Sequence, residues 1–196
     1  LHLLSRRQRQ MCIRDSFISC ALFLCTISLS AQTKMTAKEA ALKIADRILD
    51  STTYEFKNTK TGEVYKSVKK LPLSMDVKVA CKYNNWHYTN GVTNIALMEL
   101  ADKVGDKKYD KYVLKNMNFV FNEGNLDFFR RQYDQAFKDG GWNAVRKLSW
   151  HMIFRGKRLD DNGPMGASLI ELQMRHPNEA FLSLSLIHIS EPTRRS

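Results

Sequence analysis

The chain has 196 residues and carries 31 Lys and Arg against 20 Asp and Glu, for a formal net charge of +11. Its length suits one domain; the apolar residues 17–31 are too short to span a bilayer comfortably, and nothing else is apolar enough to cross one. Of four cysteines, Cys12, Cys20 and Cys25 fall within the first 25 residues, ahead of the helical segment. Cys81 is left alone, which excludes a disulfide framework or a CxxC metal site and points to a buried free thiol.

The two ends read as foreign to the rest. Residues 6–15, Arg-Arg-Gln-Arg-Gln-Met-Cys-Ile-Arg-Asp, resemble the translation of a transposon-tagmentation sequencing adapter. Residues 184–194, Leu-Ser-Leu-Ile-His-Ile-Ser-Glu-Pro-Thr-Arg, resemble the opposite adapter read outward. Residues 1–16 and 184–196 are therefore expected to be non-native and are excluded from fold reasoning. They carry +3 (Arg6, Arg7, Arg9 and Arg14 against Asp15) and +1 (Arg194 and Arg195 against Glu191), which leaves +7 of the +11 on residues 17–183. That excess is scattered. It suits a polyanionic carbohydrate or nucleic acid, and an ordinary solvated surface explains it equally well.

Residues 17–31 are uncharged and end in small residues, as in the core and cleavage region of a secretory signal peptide. Cleavage near Ser30 or Ala31 would leave Gln32 as the mature start. A lipoprotein anchor at Cys20 fits less well, because an apolar run follows it. The expected location is periplasmic or secreted, with no membrane insertion after cleavage.

Residues 32–183 read as helices with one extended interruption. Thr36-Ala-Lys-Glu39 is a capping box that opens a helix with Ala40, Ala41, Ile44, Ala45, Ile48 and Leu49 as its stripe. Residues 51–73 are polar and turn-rich, with a turn at Lys60-Thr-Gly-Glu63. Asn90 can cap the next helix, whose apolar surface is Val92, Ile95, Ala96, Met98, Leu100 and Val104, and Gly105 stops it. A third helix lies within residues 106–122, with Tyr109, Tyr112, Val113, Met117, Val120 and Phe121 inward. A fourth spans 126–137, Gly140-Gly141 breaks the chain, and 142–154 forms a fifth. Strand-like alternation is scarce, so the expected class is all-α, built of helical hairpins.

Trp86-His-Tyr-Thr-Asn-Gly-Val92 precedes the second helix. Trp86, His87, Tyr88 and Asn90 offer an aromatic platform with hydrogen-bonding groups, the surface a pyranose needs: apolar contact on a face and polar contacts at the edges. An aromatic cluster plugging a loop has the same composition.

Residues 159–172, Leu-Asp-Asp-Asn-Gly-Pro-Met-Gly-Ala-Ser-Leu-Ile-Glu-Leu, read as a loop that delivers two carboxylates to a helix. Pro164 suits the first helical position, with Gly163 or Asn162 at the cap. Met165, Leu169, Ile170 and Leu172 follow at helical spacing, and Gly166, Ala167 and Ser168 permit close helix contact. Asp160 and Asp161 then lie just before a helix N-terminus, where the ionised form is favoured. Such a carboxylate can orient a sugar hydroxyl or a water, although either Asp alone also serves as a plain cap.

The first of these motifs, followed by Ala96-Leu97, Leu100, Gly105-Asp106 and Tyr109, resembles the start of the unsaturated glycuronyl and rhamnogalacturonyl hydrolases. These are glycoside hydrolase families 88 and 105, and the second fits better. Arg158-Leu-Asp-Asp-Asn-Gly-Pro-Met-Gly-Ala167 resembles their first aspartate motif. The similarity runs from about Lys38 to Ser183. It implies that residues 32–183 are the N-terminal part of a six-hairpin α/α toroid, with the active site at the inner-helix N-termini. It implies acid-catalysed hydration of the C4=C5 double bond in the unsaturated uronic acid of a lyase-generated oligosaccharide, with no cofactor and no metal. Nucleic acid is not an expected partner. Asp160 or Asp161 matches the family's first site aspartate, and Tyr88, with Trp86, His87 and Asn90, the wall of the substrate pocket. The family's general acid is a second aspartate in a later Trp-x-Asp-Asp-like motif. None occurs before Ser183, and His151 does not replace it by motif. Other toroid enzymes, an epimerase or a glycanase, and a non-catalytic helical binding module remain as alternatives.

Overall fold

The computed structural model describes residues 35–154, 159–179 and 181. The expected adapter-derived ends and the expected signal peptide lie outside them. The chain divides into two units, residues 1–42 and 43–196. In the first, residues 35–42 hold the capping box and the opening turns of α1 (Ala37–Ser51). The Thr36 amide donates to Glu39 Oε2 at 2.8 Å, and the Glu39 amide returns a bond to Thr36 Oγ1 at 3.2 Å. Two otherwise orphaned donors are thereby satisfied, as the sequence predicts.

The second unit is mostly helical; it begins with the rest of α1, and a small sheet that the helical reading did not anticipate follows. β1 (Phe56–Asn58), β2 (Val64–Tyr65) and β3 (Val77–Val79) pair antiparallel in the order β2-β1-β3. Strands of two or three residues are too short to show an alternating pattern. The β1–β2 turn matches the one expected at residues 60–63. Asn58 Oδ1 accepts from the amides of Lys60 and Thr61, and Gly62 takes φ +77°, open to glycine at little cost. The sheet matters because Phe56, only 1% exposed, lies against Phe128 and Phe129.

Four helices complete the unit: α2 (Tyr88–Val104), α3 (Lys108–Phe121), α4 (Glu123–Val145) and α5 (Leu159–Arg175). Gly105, in the left-handed region at φ +71°, ends α2. α3 then returns and buries Tyr109, Tyr112, Val113, Met117, Val120 and Phe121, the predicted set. α3 also meets α1: the Tyr109 hydroxyl donates to Asp46 Oδ1 at 2.9 Å, and Tyr112 shares a hydrogen bond with Thr52 at 2.8 Å. Ile44, expected on the buried stripe of α1, is 63% exposed, and Ala45 is the buried residue there.

Helical geometry in α4 breaks at Gly140 and at Gly141, where φ is +56° and ψ −144°. The predicted break is correct. The predicted helix over 142–154 is not: one turn reaches Val145, turns follow, and a short 3-10 helix spans His151–Phe154. Trp150 stacks on Phe129 at 5.3 Å and lies 6.2 Å from Trp86, which is 6.1 Å from Phe121. An aromatic chain thus runs from the sheet to the start of α2. Cys81 is buried with a free thiol. Among the described residues no helix is long and apolar enough to cross a membrane.

α2 turns a different face inward from the one its apolar residues suggest. Asn90, Gly91, Asn94, Leu97, Met98 and Ala101 are buried, while Val92 is 52% exposed and Ala96 is also exposed. The cause is α5, which crosses so closely that small and hydrogen-bonding residues must face it. A Cβ on Gly91 would stand 2.3 Å from the Pro164 carbonyl carbon and 2.4 Å from the Met165 nitrogen. Gly166, expected to permit close contact, has no such neighbour.

Candidate functional site

The loop before α2 is held from within. Asn90 is the third residue of the helix, and its Nδ2 donates to the carbonyls of Lys82 (2.9 Å) and Asn85 (2.8 Å). It pins the loop rather than capping the helix. The cap is His87, extended at φ −142° and ψ 145°, whose Nδ1 accepts from the Thr89 amide at 3.4 Å.

α5 begins at Leu159, five residues before Pro164. Asp160 and Asp161 are therefore in its first turn and not in a loop ahead of it. Their side chains lie outside the described residues. Pro164, the sixth residue of α5, cannot donate the i→i−4 bond to the Asp160 carbonyl. Gly163, having no Cβ, eases the clash that a residue before proline meets in helical backbone.

The two stretches singled out in the sequence meet. Trp86, 1% exposed, donates from Nε1 to Asn162 Oδ1 at 2.8 Å. One turn on, Gly91 abuts Pro164 and Met165. At the other end Arg175 reaches the Met98 carbonyl (3.4 Å) and both oxygens of Asp102 (3.1 and 2.8 Å). N-terminal contacts N-terminal and C-terminal contacts C-terminal, so α2 and α5 run parallel. Their first turns, with Tyr88 on one and Asp160 and Asp161 on the other, lie at the same end. Of the expected platform residues, Trp86 and Asn90 are interior, whereas His87 is exposed and Tyr88 is 45% exposed, their rings 5.1 Å apart.

Beside this end is a cavity of about 510 Å³, lined in part by Lys82, Asn85, Trp86, His87, Ser149 and His151. His87 Nδ1 lies 2.9 Å from the Thr89 hydroxyl as well as 3.4 Å from the Thr89 amide. The Leu148 carbonyl can only accept, so His151 Nδ1, 2.7 Å away, donates and its Nε2 keeps a lone pair when neutral. Among the described residues no cluster of three or more His, Cys, Asp or Glu side chains is arranged to hold a metal ion.

Sequence reasoning treated Asn162 only as a possible cap and passed over Gly91, Lys82 and Ser149. Gly91 carried a usable signal, since a glycine inside a helical pattern marks close backbone approach. Asn162 carried none, because its partner is 76 residues away. The chain matches no protein-family model and no curated protein.

Proposed function

We propose that this chain is the N-terminal part of a hydrolase that hydrates the C4=C5 double bond of an unsaturated uronic acid and so releases it from lyase-generated oligosaccharides. The sequence resemblance to the unsaturated glycuronyl and rhamnogalacturonyl hydrolases is the source of this reading. The observation that carries it furthest is the parallel pair α2 and α5, joined at their first turns by the Trp86–Asn162 hydrogen bond. An up-and-down bundle makes sequence neighbours antiparallel. Parallel contact between helices separated by a returning excursion is what an α/α toroid requires of its inner layer. This arrangement supports the finer fold expectation, a partial six-hairpin toroid. It also supports a shared site for the two motifs.

In this reading Tyr88 contributes to the sugar-binding wall, with Trp86 behind it as a rigid support. Asp160 or Asp161 orients a substrate hydroxyl or water as an ionised acceptor. The proton delivered to C4 comes from an acid in the parent chain beyond residue 183, and water adds at C5. The resulting hemiketal opens and the leaving sugar departs. The test is the ultraviolet absorbance of C4=C5-unsaturated disaccharides derived from pectin and from glycosaminoglycans, mixed with the full-length parent protein without added metal. The absorbance is expected to decay with at least one of them. Persistent absorbance with all of them, in the presence of folded protein, overturns the proposal.

A further inference from the structure

The basic excess of the chain is unevenly placed. Residues 55–82 hold seven lysines and no arginine against Glu55, Glu63 and Asp76, a net +4, more than half of the +7 on residues 17–183. This segment contains the whole three-stranded sheet. Side chains alternate between the two faces of a strand. Phe56, Val77 and Val79 are buried, so Lys57 and Lys78 stand on the opposite, outer face. The register sets Lys57 directly opposite Val64 on one side and Lys78 on the other, a row of three that crosses every strand. Lys57 is exposed and Val64 is 50% exposed. Like charges directly opposite one another destabilise a strand pair. Of the segment's carboxylates, Asp76 holds Lys60 at 2.9 Å and Glu63 accepts from the Tyr65 hydroxyl at 2.6 Å. Glu55 lies two residues along the chain from Lys57, and its single charge leaves the lysine pair net positive.

An anion seated between the two ammonium groups would turn this cost into a gain. Two features select the kind of anionic partner. The cations of the segment are all lysines, hydrated point charges, whereas recognition of nucleic-acid phosphates favours the planar fork of arginine. An exposed aliphatic side chain, Val64, stands in line with the lysines, which suits the boundary between lipid headgroups and acyl chains better than a phosphodiester backbone. We propose that the outer face of the sheet, through the row Val64, Lys57 and Lys78, docks peripherally on an anionic phospholipid surface. Clusters of about four to eight basic residues are the usual size for such docking, and the segment holds seven. The attachment is independent of the hydrolase reading and places no helix in the bilayer.

The experiment mixes the full chain with vesicles of phosphatidylcholine alone and of phosphatidylcholine with phosphatidylglycerol. Binding is followed by co-sedimentation, and each lysine's accessibility by acetylation and mass spectrometry. Anionic vesicles are expected to protect Lys57 and Lys78, while Lys138 and Lys147, exposed elsewhere on the chain, label as before. That readout is local, so any attachment through the apolar residues 17–31 does not imitate it. Lys57→Gln with Lys78→Gln should weaken binding to anionic vesicles by roughly tenfold, and Lys138→Gln with Lys147→Gln, an equal change of charge, by less than about twofold. Removing a like-charge pair should raise the melting temperature, so the weaker binding would not come from unfolding. Val64→Ser should weaken vesicle binding by about threefold and leave any binding to a DNA duplex unchanged. The proposal is overturned by equal protection from neutral vesicles, by labelling of Lys57 and Lys78 that ignores anionic ones, by equal effects of the two double variants, or by a DNA duplex bound through the same lysines in preference to vesicles.

Discussion

Arg175 gathers more partners than any other described side chain at the C-terminal end of α5. It holds Glu171 (2.8 Å) and Asp102 (2.8 Å), touches the Met98 carbonyl, and lies 3.7 Å from Asp110, which also contacts His176. Hydrogen bonding from Arg175 holds the Asp102 carboxyl below its ordinary value of 3.8. Lys108 and then Tyr109 do the same for Asp46. A carboxyl whose value is lower in the folded state binds fewer protons there than in the unfolded chain. Its stabilising contribution is therefore complete above the unfolded value and is lost as pH falls through the folded one. The melting temperature should accordingly drop between about pH 5 and about pH 3, and Asp102→Asn should flatten that slope. A slope identical in the variant would show that Asp102 contributes nothing to it. Arg175→Met, which leaves Asp110 without its nearby cation in a largely buried position, should cost roughly 2–4 kcal/mol in denaturant unfolding.

Helices were legible where local chemistry decides them. The Thr36–Glu39 box, the Gly105 stop, the Gly140-Gly141 break and the inward face of α3 all follow from residues within a turn or two of one another. The start of α5 was misread because proline at its sixth position looks like a proline at its first. The inward face of α2 was misread because hydrophobicity favoured Val92 and Ala96, while distance from α5 favoured Gly91 and Asn94. Of the four expected platform residues, His87 and Tyr88 are at the surface while Trp86 and Asn90 are support, and for Trp86 the contact that decides this is far away in sequence. Gly91→Ala tests the close crossing. Alanine gains up to about 1 kcal/mol in helix propensity, but its Cβ would fall within 2.6 Å of three backbone atoms of Pro164 and Met165. Backbone cannot swing aside as a flexible side chain can. The net expectation is a loss of about 2 kcal/mol or more, measured as a lower denaturation midpoint with an unchanged slope. A neutral or stabilising result would mean that α2 and α5 lie farther apart.

Across the molecule, the described surface carries apolar side chains that its helices do not cover. Tyr88 and Val92 on α2 are 45% and 52% exposed, and Ile170 and Met174 on α5 are 40% and 75% exposed. Each pair lies one helical turn apart, so each forms a strip along its helix. Exposed apolar strips favour association. Residues 32–183, prepared alone, should be helical by circular dichroism, scatter light through self-association, and show no turnover of an unsaturated uronide. Ile170→Lys with Met174→Lys should lower the scattering at unchanged helicity. A monodisperse, active product from the unsubstituted segment would place the general acid within it. The parallel pairing of α2 and α5 also has a consequence in time. The α2–α3 hairpin closes over a few residues, whereas the bonds from Trp86 to Asn162 and from Arg175 to Asp102 span 76 and 73 residues. Closing so long an excursion is entropically slow, so the hairpin is expected to form early and α5 to dock late. During synthesis the first half of the site would wait, assembled but unpaired, until some 70 further residues had emerged. The two motifs would then join in a single late step, making the candidate site among the last parts of the fold to exist and the first to come apart.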